Sequence, residues 1–230
     1  MTYAAQRLRF LTTLLVALAA LLAGCGSGMQ VTPTETPDLT ATPTAIPTVL
    51  YQADWSQGAD GWTLPPHWSI QGGMLVNDGG GIDAIPMPYT VTTPDYEVDL
   101  VAKAAAITTP SSCAKLYGIQ ALDGSGNQLY YAQIYCIGTT YDRHPAASLL
   151  AVTAQDNTLA ATADYYPNDG WKTYRVLVHN KGIRFFPGSS APNCGINAPV
   201  TLSPATFALL DQHMPLVISK FAVLKLNALG

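Results

Sequence analysis

Charged side chains are scarce in this sequence. They make up 11% of its 230 residues, with 11 Lys and Arg against 15 Asp and Glu and a formal charge of −4, whereas an average soluble protein has about 25%. So few cations argue against a nucleic-acid binder, which needs many Lys and Arg residues to neutralise phosphates. So few charges of either sign argue against a coiled coil or helical bundle.

Several motifs of site chemistry are also missing. The four histidines and four cysteines show neither His-x-x-x-His nor Cys-x-x-Cys spacing, so we predict no zinc site. A nucleophile elbow and a phosphate-binding glycine loop are absent as well. We therefore predict no metal and no cofactor, with calcium kept as a weak alternative.

What the sequence does contain begins with an export signal. Two arginines precede an apolar run over residues 10–22, which is shorter than the ~20 residues of a membrane-spanning helix. The run ends in Leu-Ala-Gly-Cys at residues 22–25, which resembles the lipobox of bacterial lipoproteins. This resemblance implies that residues 1–24 are a signal peptide and that Cys25 carries a diacylglycerol. We therefore expect a lipid-anchored, extracytoplasmic protein at the cell membrane or cell surface.

Residues 25–49 read as a disordered linker. Threonines alternate with prolines at positions 33, 37, 43 and 47, and such a segment buries too little apolar area to fold. An extended polyproline II chain of this length reaches roughly 70 Å at about 3.1 Å per residue. The rest, residues 50–230, suits one domain.

The domain has the pattern of short β-strands. In residues 96–103, Tyr96, Val98, Leu100 and Ala102 alternate with polar or charged neighbours, and residues 172–178 repeat this with Tyr174, Val176 and Val178. Glycine-rich turn signals separate these runs, and no long stretch keeps a helical apolar stripe. The sequence therefore predicts an all-β sandwich or barrel.

Three motifs make the fold more specific. They are a Trp-Ser-Ile-Gln-Gly-Gly-Met-Leu hairpin at 68–75, a Trp-Lys-Thr-Tyr-Arg-Val strand at 171–176 and Phe-Ala-Val at 221–223. Together they resemble concanavalin A-like (laminin G-like) jelly-roll domains. The resemblance implies two curved antiparallel sheets, a fold that hosts lectins, glycosidases and inert modules alike.

The cysteines suggest one disulfide, which an exported location permits. Strands near 112–122 and 128–137 flank a turn, and a four-residue loop at 123–126 would place Cys113 directly opposite Cys136. That pairing is our prediction, worth roughly 3 kcal/mol. Cys136 with Cys194 is the rival pairing.

The same hairpin supplies the candidate binding site. Alternation places Cys113, Tyr117, Ile119, Tyr130, Ala132 and Ile134 on a core face, with Lys115 as the exception. It places Gln120, Tyr131, Gln133 and Tyr135 on the other face. Phenol rings stack on the C–H surface of sugars, and amides bind hydroxyl groups. We therefore predict a carbohydrate-binding surface, against the alternative of an ordinary solvated face.

Two acidic loops are the candidate calcium ligands. Asp123, Ser125 and Asn127 resemble the start of a calcium loop, but the later bidentate Glu is missing and a tight turn explains them better. Segment 78–83 carries an Asp at each end of a glycine run and reads equally as a flexible loop.

Catalysis has one candidate. Glu97-Val98-Asp99 resembles the Glu-x-Asp-x-x-Glu strand of retaining glucanases of this fold, but Ala102 occupies the place of the second Glu. Without that second carboxylate, a double-displacement mechanism has no acid/base residue, so we predict that the protein is not an enzyme. Glu97 and Asp99 then form the solvated side of a strand. The function we predict is binding of polysaccharide or cell-wall glycan, with a diverged glycoside hydrolase and a structural envelope module as alternatives.

Overall fold

The architecture comes from a computed structural model, which describes residues 47–105, 115–137, 144–152, 158–168, 170–188, 194–197 and 202–227. Over these residues the backbone forms strands and one short 3₁₀ turn at Trp55–Gln57. The strands are β1 (Thr48–Gln52), β2 (Trp68–Gln71), β3 (Met74–Asp78), β4 (Ile82–Val91), β5 (Tyr96–Ala104), β6 (Leu116–Leu122), β7 (Gln128–Ile137), β8 (His144–Val152), β9 (Thr158–Asp164), β10 (Lys172–His179), β11 (Gly182–Phe186), β12 (Cys194–Asn197), β13 (Ala205–Gln212) and β14 (Pro215–Lys225). The predicted all-β class is confirmed.

The strands form two antiparallel sheets. Sheet A has the order β12-β11-β10-β5-β14-β3-β2, with β1 also paired to β14, and sheet B has the order β4-β13-β6-β7-β8-β9. Inward side chains of both sheets share one core, as in a β-sandwich. The side of each sheet that points away from the other is its outer face.

The predicted alternation is confirmed in the core. The inward residues of β5 and β10 are no more than 2% exposed: Tyr96, Val98, Leu100, Ala102, Tyr174, Val176 and Val178. Because side chains two apart on a strand share a face, this local pattern was enough to orient both strands.

Tyrosine pairs tie the two sheets together across the core. Tyr117 of sheet B and Tyr174 of sheet A bring their hydroxyl oxygens within 2.7 Å. The Tyr96 hydroxyl donates to the Leu202 carbonyl oxygen at 3.1 Å. These contacts satisfy buried hydroxyl groups that would otherwise destabilise the core.

Left-handed turn residues set the hairpins. Gly72 and Gly73, with φ of 58° and 73°, connect β2 to β3, and Asn180 and Lys181, with φ of 50° and 62°, connect β10 to β11. Two-residue turns with positive φ at both positions match the twist of the strands that they join. The predicted hairpin at 68–75 is therefore confirmed.

The folded body starts earlier than predicted. β1 already pairs at Thr48 and Val49, which face Lys225 and Leu224 of β14, so the boundary lies at least two residues before position 50. Residues 1–46, including Cys25, lie outside the described residues, and the lipobox stays a prediction. Among the residues that the structure describes, no helix is long and apolar enough to cross a membrane.

Candidate functional site

The candidate site is the outer face of sheet B. The register places Gln120 beside Tyr131 and Gly118 beside Gln133, and alternation along β7 brings Tyr135 to the same side. The inward residues of these strands are no more than 1% exposed: Tyr117, Ile119, Tyr130, Ala132 and Ile134. The four predicted residues, each half-buried, therefore share one outer face. We call Gln120, Tyr131, Gln133 and Tyr135 the Tyr131 platform.

Two contacts fix the geometry of the platform. Gln120 Nε2 donates to Tyr131 Oη at 3.2 Å. This hydrogen bond keeps the Tyr131 phenol next to the Gln120 amide. Gly118 lies beside Gln133, and a Cβ on it would come within 2.6 Å of Gln133 Cα. Only glycine therefore lets β6 and β7 approach closely enough for this row of side chains.

Ser148 of β8 was not among the predicted site residues. Ser148 lies beside Gln133, is fully buried, and its Oγ has no hydrogen-bond partner among the described residues. A buried hydroxyl in this state costs about 1–3 kcal/mol. In the sequence, Ser148 is recognisable only as a lone serine between Pro145 and Ala151. Its position beside Gln133 depends on the register of β8 against β7, which a local pattern does not reveal.

The register of the β6–β7 hairpin differs from our prediction by two residues. Tyr117 pairs with Ile134 rather than with Ala132. The loop is longer than the predicted 123–126, because the Asp123 amide donates to the Asn127 carbonyl oxygen at 2.8 Å and a bulge follows at the end of β6. A shift of two residues keeps every side chain on its predicted face.

The observed register bears on the predicted disulfide between Cys113 and Cys136. Over Tyr117–Leu122, where the ladder is described, the register is not the one from which the direct opposition of Cys113 and Cys136 was predicted. Cys113 lies outside the described residues, and its disulfide with Cys136 stays a prediction. The buried Cys194 is in no disulfide, so the rival bond to Cys136 is not formed, and its Sγ donates to the Ala147 carbonyl oxygen at 3.6 Å.

Glu97 and Asp99 project from β5 onto the outer face of sheet A, but the prediction of a solvated face is wrong. Asp99 is 8% exposed; its Oδ2 lies 3.3 Å from Lys220 Nζ, and its Oδ1 has no hydrogen-bond partner among the described residues. Burial, with a hydrogen bond to Asp99 and repulsion by its carboxylate, raises the pKa of Glu97 to about 7.

A further buried carboxylate is Asp211 of β13, to which sequence analysis gave no role. It is 1% exposed, and neither oxygen has a hydrogen-bond partner among the described residues. Burial raises the pKa of Asp211 to about 7; the nearby Met214 amide opposes this rise and the Asp83 carboxylate adds to it. Asp83 faces Asp211 across the β4–β13 ladder and accepts from Trp68 Nε1 at 3.1 Å.

The carboxylates of the two acidic loops contact other groups of the protein. Asp123 Oδ1 accepts from the amides of Ser125 and Asn127, both at 2.8 Å, and Asp78 Oδ1 lies 3.2 Å from His67 Nδ1. Within the described ranges, no three His, Cys, Asp or Glu side chains are grouped so that they could hold a metal ion. Turn formation accounts for the Asp123 contacts and for the Gly80 amide that donates to Asp78 Oδ1 at 2.8 Å, whereas His67 contacts Asp78 from a neighbouring segment. Calcium stays an untested alternative.

Comparison with solved structures assigns the fold to the concanavalin A-like jelly rolls. The CBM2 module of the evolved Dit of Lactobacillus casei BL23 phage J-1 has a TM-score of 0.57 and 8% identity, over 79% of this chain and 97% of that one. LamAcat from Zobellia galactanivorans has a TM-score of 0.52 and 12% identity, over 77% and 98%. The legume lectin-like domain from Entamoeba histolytica has a TM-score of 0.53 and 11% identity, over 72% and 90%.

Identities this low show the fold alone, and the predicted jelly-roll fold is thereby confirmed. No protein-family model and no curated protein matches the chain.

Proposed function

We propose that this chain is a lipid-anchored cell-surface protein whose β-sandwich binds carbohydrate without catalysis. The observation that carries the proposal is the Tyr131 platform, where two phenols and two amides share one outer face and the Gln120–Tyr131 hydrogen bond orders one pair. Half-buried Leu150 beside Tyr131 and Leu210 beside Gly118 add apolar surface to this face. Phenol rings with an apolar border suit the C–H side of a sugar ring, and amides suit its hydroxyls.

The names of two structural neighbours also support this proposal. One is the legume lectin-like domain already described, and the other is the carbohydrate recognition domain of Emp47p, with a TM-score of 0.51 and 8% identity over 71% of this chain. Both names denote sugar recognition on this fold, which makes the same use of the fold reasonable here.

Removing both platform phenols tests the proposal. The double variant Tyr131→Ala with Tyr135→Ala is expected to lose glycan-array binding by tenfold or more, because each aromatic contact contributes about 0.5–1.5 kcal/mol. Glu97→Gln, on the other sheet, is the matched control and is expected to bind as the unchanged protein does. Equal binding by the double variant and the unchanged protein would contradict the proposal.

A diverged glycoside hydrolase is the second candidate function. The pKa of Glu97, raised to about 7, suits a general acid or base, and Asp99 is its immediate neighbour. Polysaccharide turnover that Glu97→Gln abolishes would favour this candidate. If the folded domain neither binds a glycan nor turns one over, the function that remains is that of a structural envelope module.

The anchor has its own test. Cys25→Ser is expected to move the protein from the membrane fraction to the soluble fraction, since the lipid on that thiol would supply the hydrophobic attachment. Mass spectrometry of the unchanged protein is expected to show an acylated Cys25 at a new N-terminus. An uncut leader with a bare thiol would contradict the lipoprotein proposal.

A further inference from the structure

A cationic groove lies on the outer face of sheet A, on the opposite side of the sandwich from the Tyr131 platform. Its volume is about 240 Å³, and its walls come from strands β10, β11 and β12. The lining residues are Leu177, His179, Asn180, Gly182, Arg184 and Asn197.

Arg184 provides the charge of this groove. Its side chain is exposed, and none of the ion pairs formed by the described residues includes it. Gly195 faces Arg184 across the β11–β12 ladder, and a Cβ at Gly195 would come within 3.0 Å of Arg184 Nη1. The guanidinium therefore lies over a residue without a side chain, where its planar set of donors is open to a ligand.

The other polar side chains of the groove are those of His179, Asn180 and Asn197. His179 Nδ1 lies 3.1 Å from Asp95 Oδ1, and His179 Nε2 lies 2.7 Å from Asn180 Nδ2. Both ring nitrogens of His179 therefore have partners within the protein, and Asp95 Oδ1 also accepts from the Asn180 backbone amide at 3.0 Å. The positive charge rests on Arg184, while the amides of Asn180 and Asn197 offer hydrogen bonds to hydroxyl groups.

A second arginine extends the positive charge along the face. Arg175 faces Phe186 across the β10–β11 ladder, and its guanidinium lies 5.1 Å from the centre of that ring. Since Arg184 faces Leu177, the two arginines are diagonal neighbours, at a typical separation of about 7–8 Å. On its other side Arg175 faces Asp99 across the β5–β10 ladder, which offsets part of its charge, so Arg184 is the cation of this face that is open to an anionic ligand.

We propose that this groove binds the carboxylate of an acidic sugar, a uronic acid unit of a polysaccharide, with Arg184 as the bidentate anchor. Arginine and carboxylate match in geometry, and their paired hydrogen bonds are short and strong. The amides of Asn180 and Asn197 bind ring hydroxyls. The inference rests on the proposed carbohydrate function but uses the opposite face of the molecule.

Calorimetric titration of the full chain with oligogalacturonate tests the inference. Arg184→Gln is expected to weaken binding at least tenfold, and Arg184→Lys, which keeps the charge but loses the planar fork, nearly as much. The matched control is Lys181→Gln, which removes one cation from the adjacent turn. Lys181 lines a neighbouring cavity of about 440 Å³, which shares Asn180 with the groove but does not include Arg184, so this control is expected to change binding by less than threefold.

Two results of the titrations with the unchanged, Arg184→Gln and Lys181→Gln proteins would overturn the inference. One is failure of the unchanged protein to bind oligogalacturonate, and the other is an equal loss in Arg184→Gln and Lys181→Gln. The double variant Tyr131→Ala with Tyr135→Ala is expected to keep its oligogalacturonate affinity, since the platform is on the other sheet. Its glycan-array result therefore tests the platform separately, and an affinity loss in that variant without one in Arg184→Gln would also refute the groove.

Discussion

Above pH 7, the Asp211→Asn variant is expected to be more stable than the unchanged protein. Asp211 is 1% exposed, and burial raises its pKa to about 7, whereas an unfolded Asp titrates near ~3.9. Between these two values the folded state holds a proton that the unfolded state has released. The contribution of Asp211 to the free energy of unfolding therefore falls as the pH rises from about 4 to about 7, by up to about 4 kcal/mol.

Denaturant unfolding at pH 4.5 and pH 8 measures this effect. Between the two pH values, the stability difference is expected to shift in favour of Asp211→Asn by about 3 kcal/mol, because asparagine carries no charge to desolvate. Asp83→Asn is the control: it removes only the neighbouring negative charge and keeps an acceptor for Trp68 Nε1. It is therefore expected to reduce the pH dependence only in part. Parallel pH profiles for Asp211→Asn and the unchanged protein would show that Asp211 does not titrate as described.

Gly118→Ala is expected to destabilise the protein by about 3 kcal/mol, at the upper end for an added methyl group. The new Cβ would lie 2.6 Å from Gln133 Cα and 2.8 Å from Gln133 Cβ. A flexible side chain cannot relieve a clash with a backbone atom, so β6 and β7 would have to separate locally. This movement would also disturb the Tyr131 platform, and weaker glycan binding by the folded variant is expected.

Gly124→Ala is the matched control for that substitution. Gly124 lies in the β6–β7 turn of the same hairpin, and a Cβ there would meet nothing within 4 Å. Thermal or denaturant unfolding is expected to show a change of less than about 0.5 kcal/mol. Comparable losses in both variants would mean that the close approach of Gly118 to Gln133 is not what holds the hairpin.

Local patterns predicted much of this fold. The inward residues of β5, from Tyr96 to Ala102, followed from a period of two, and the Gly72-Gly73 turn followed from its residue types. The face of each platform residue was predictable for the same reason. Even a register error of two residues left Tyr131 and Gln133 on the outer face.

The rest depended on contacts between distant parts of the chain. Asp99 looked solvated because the cation beside it, Lys220, lies 121 residues away in β14. Ser148 and Asp211 are polar residues that neighbouring strands bury. Which strands lie next to each other could not be predicted from local sequence patterns. The predicted register of the β6–β7 hairpin was wrong for a local reason, because one extra loop residue and a bulge shift the residue pairs.

Hydrogen–deuterium exchange of the full chain, with and without the strongest neutral glycan-array ligand, tests the central claim most directly. The account predicts slower exchange in peptides covering residues 116–122, 128–137 and 144–152, around Tyr131 and Ser148, with sheet A unchanged. Protection confined to β5, β10 and β11 of sheet A, with no change in β6 and β7, would contradict it.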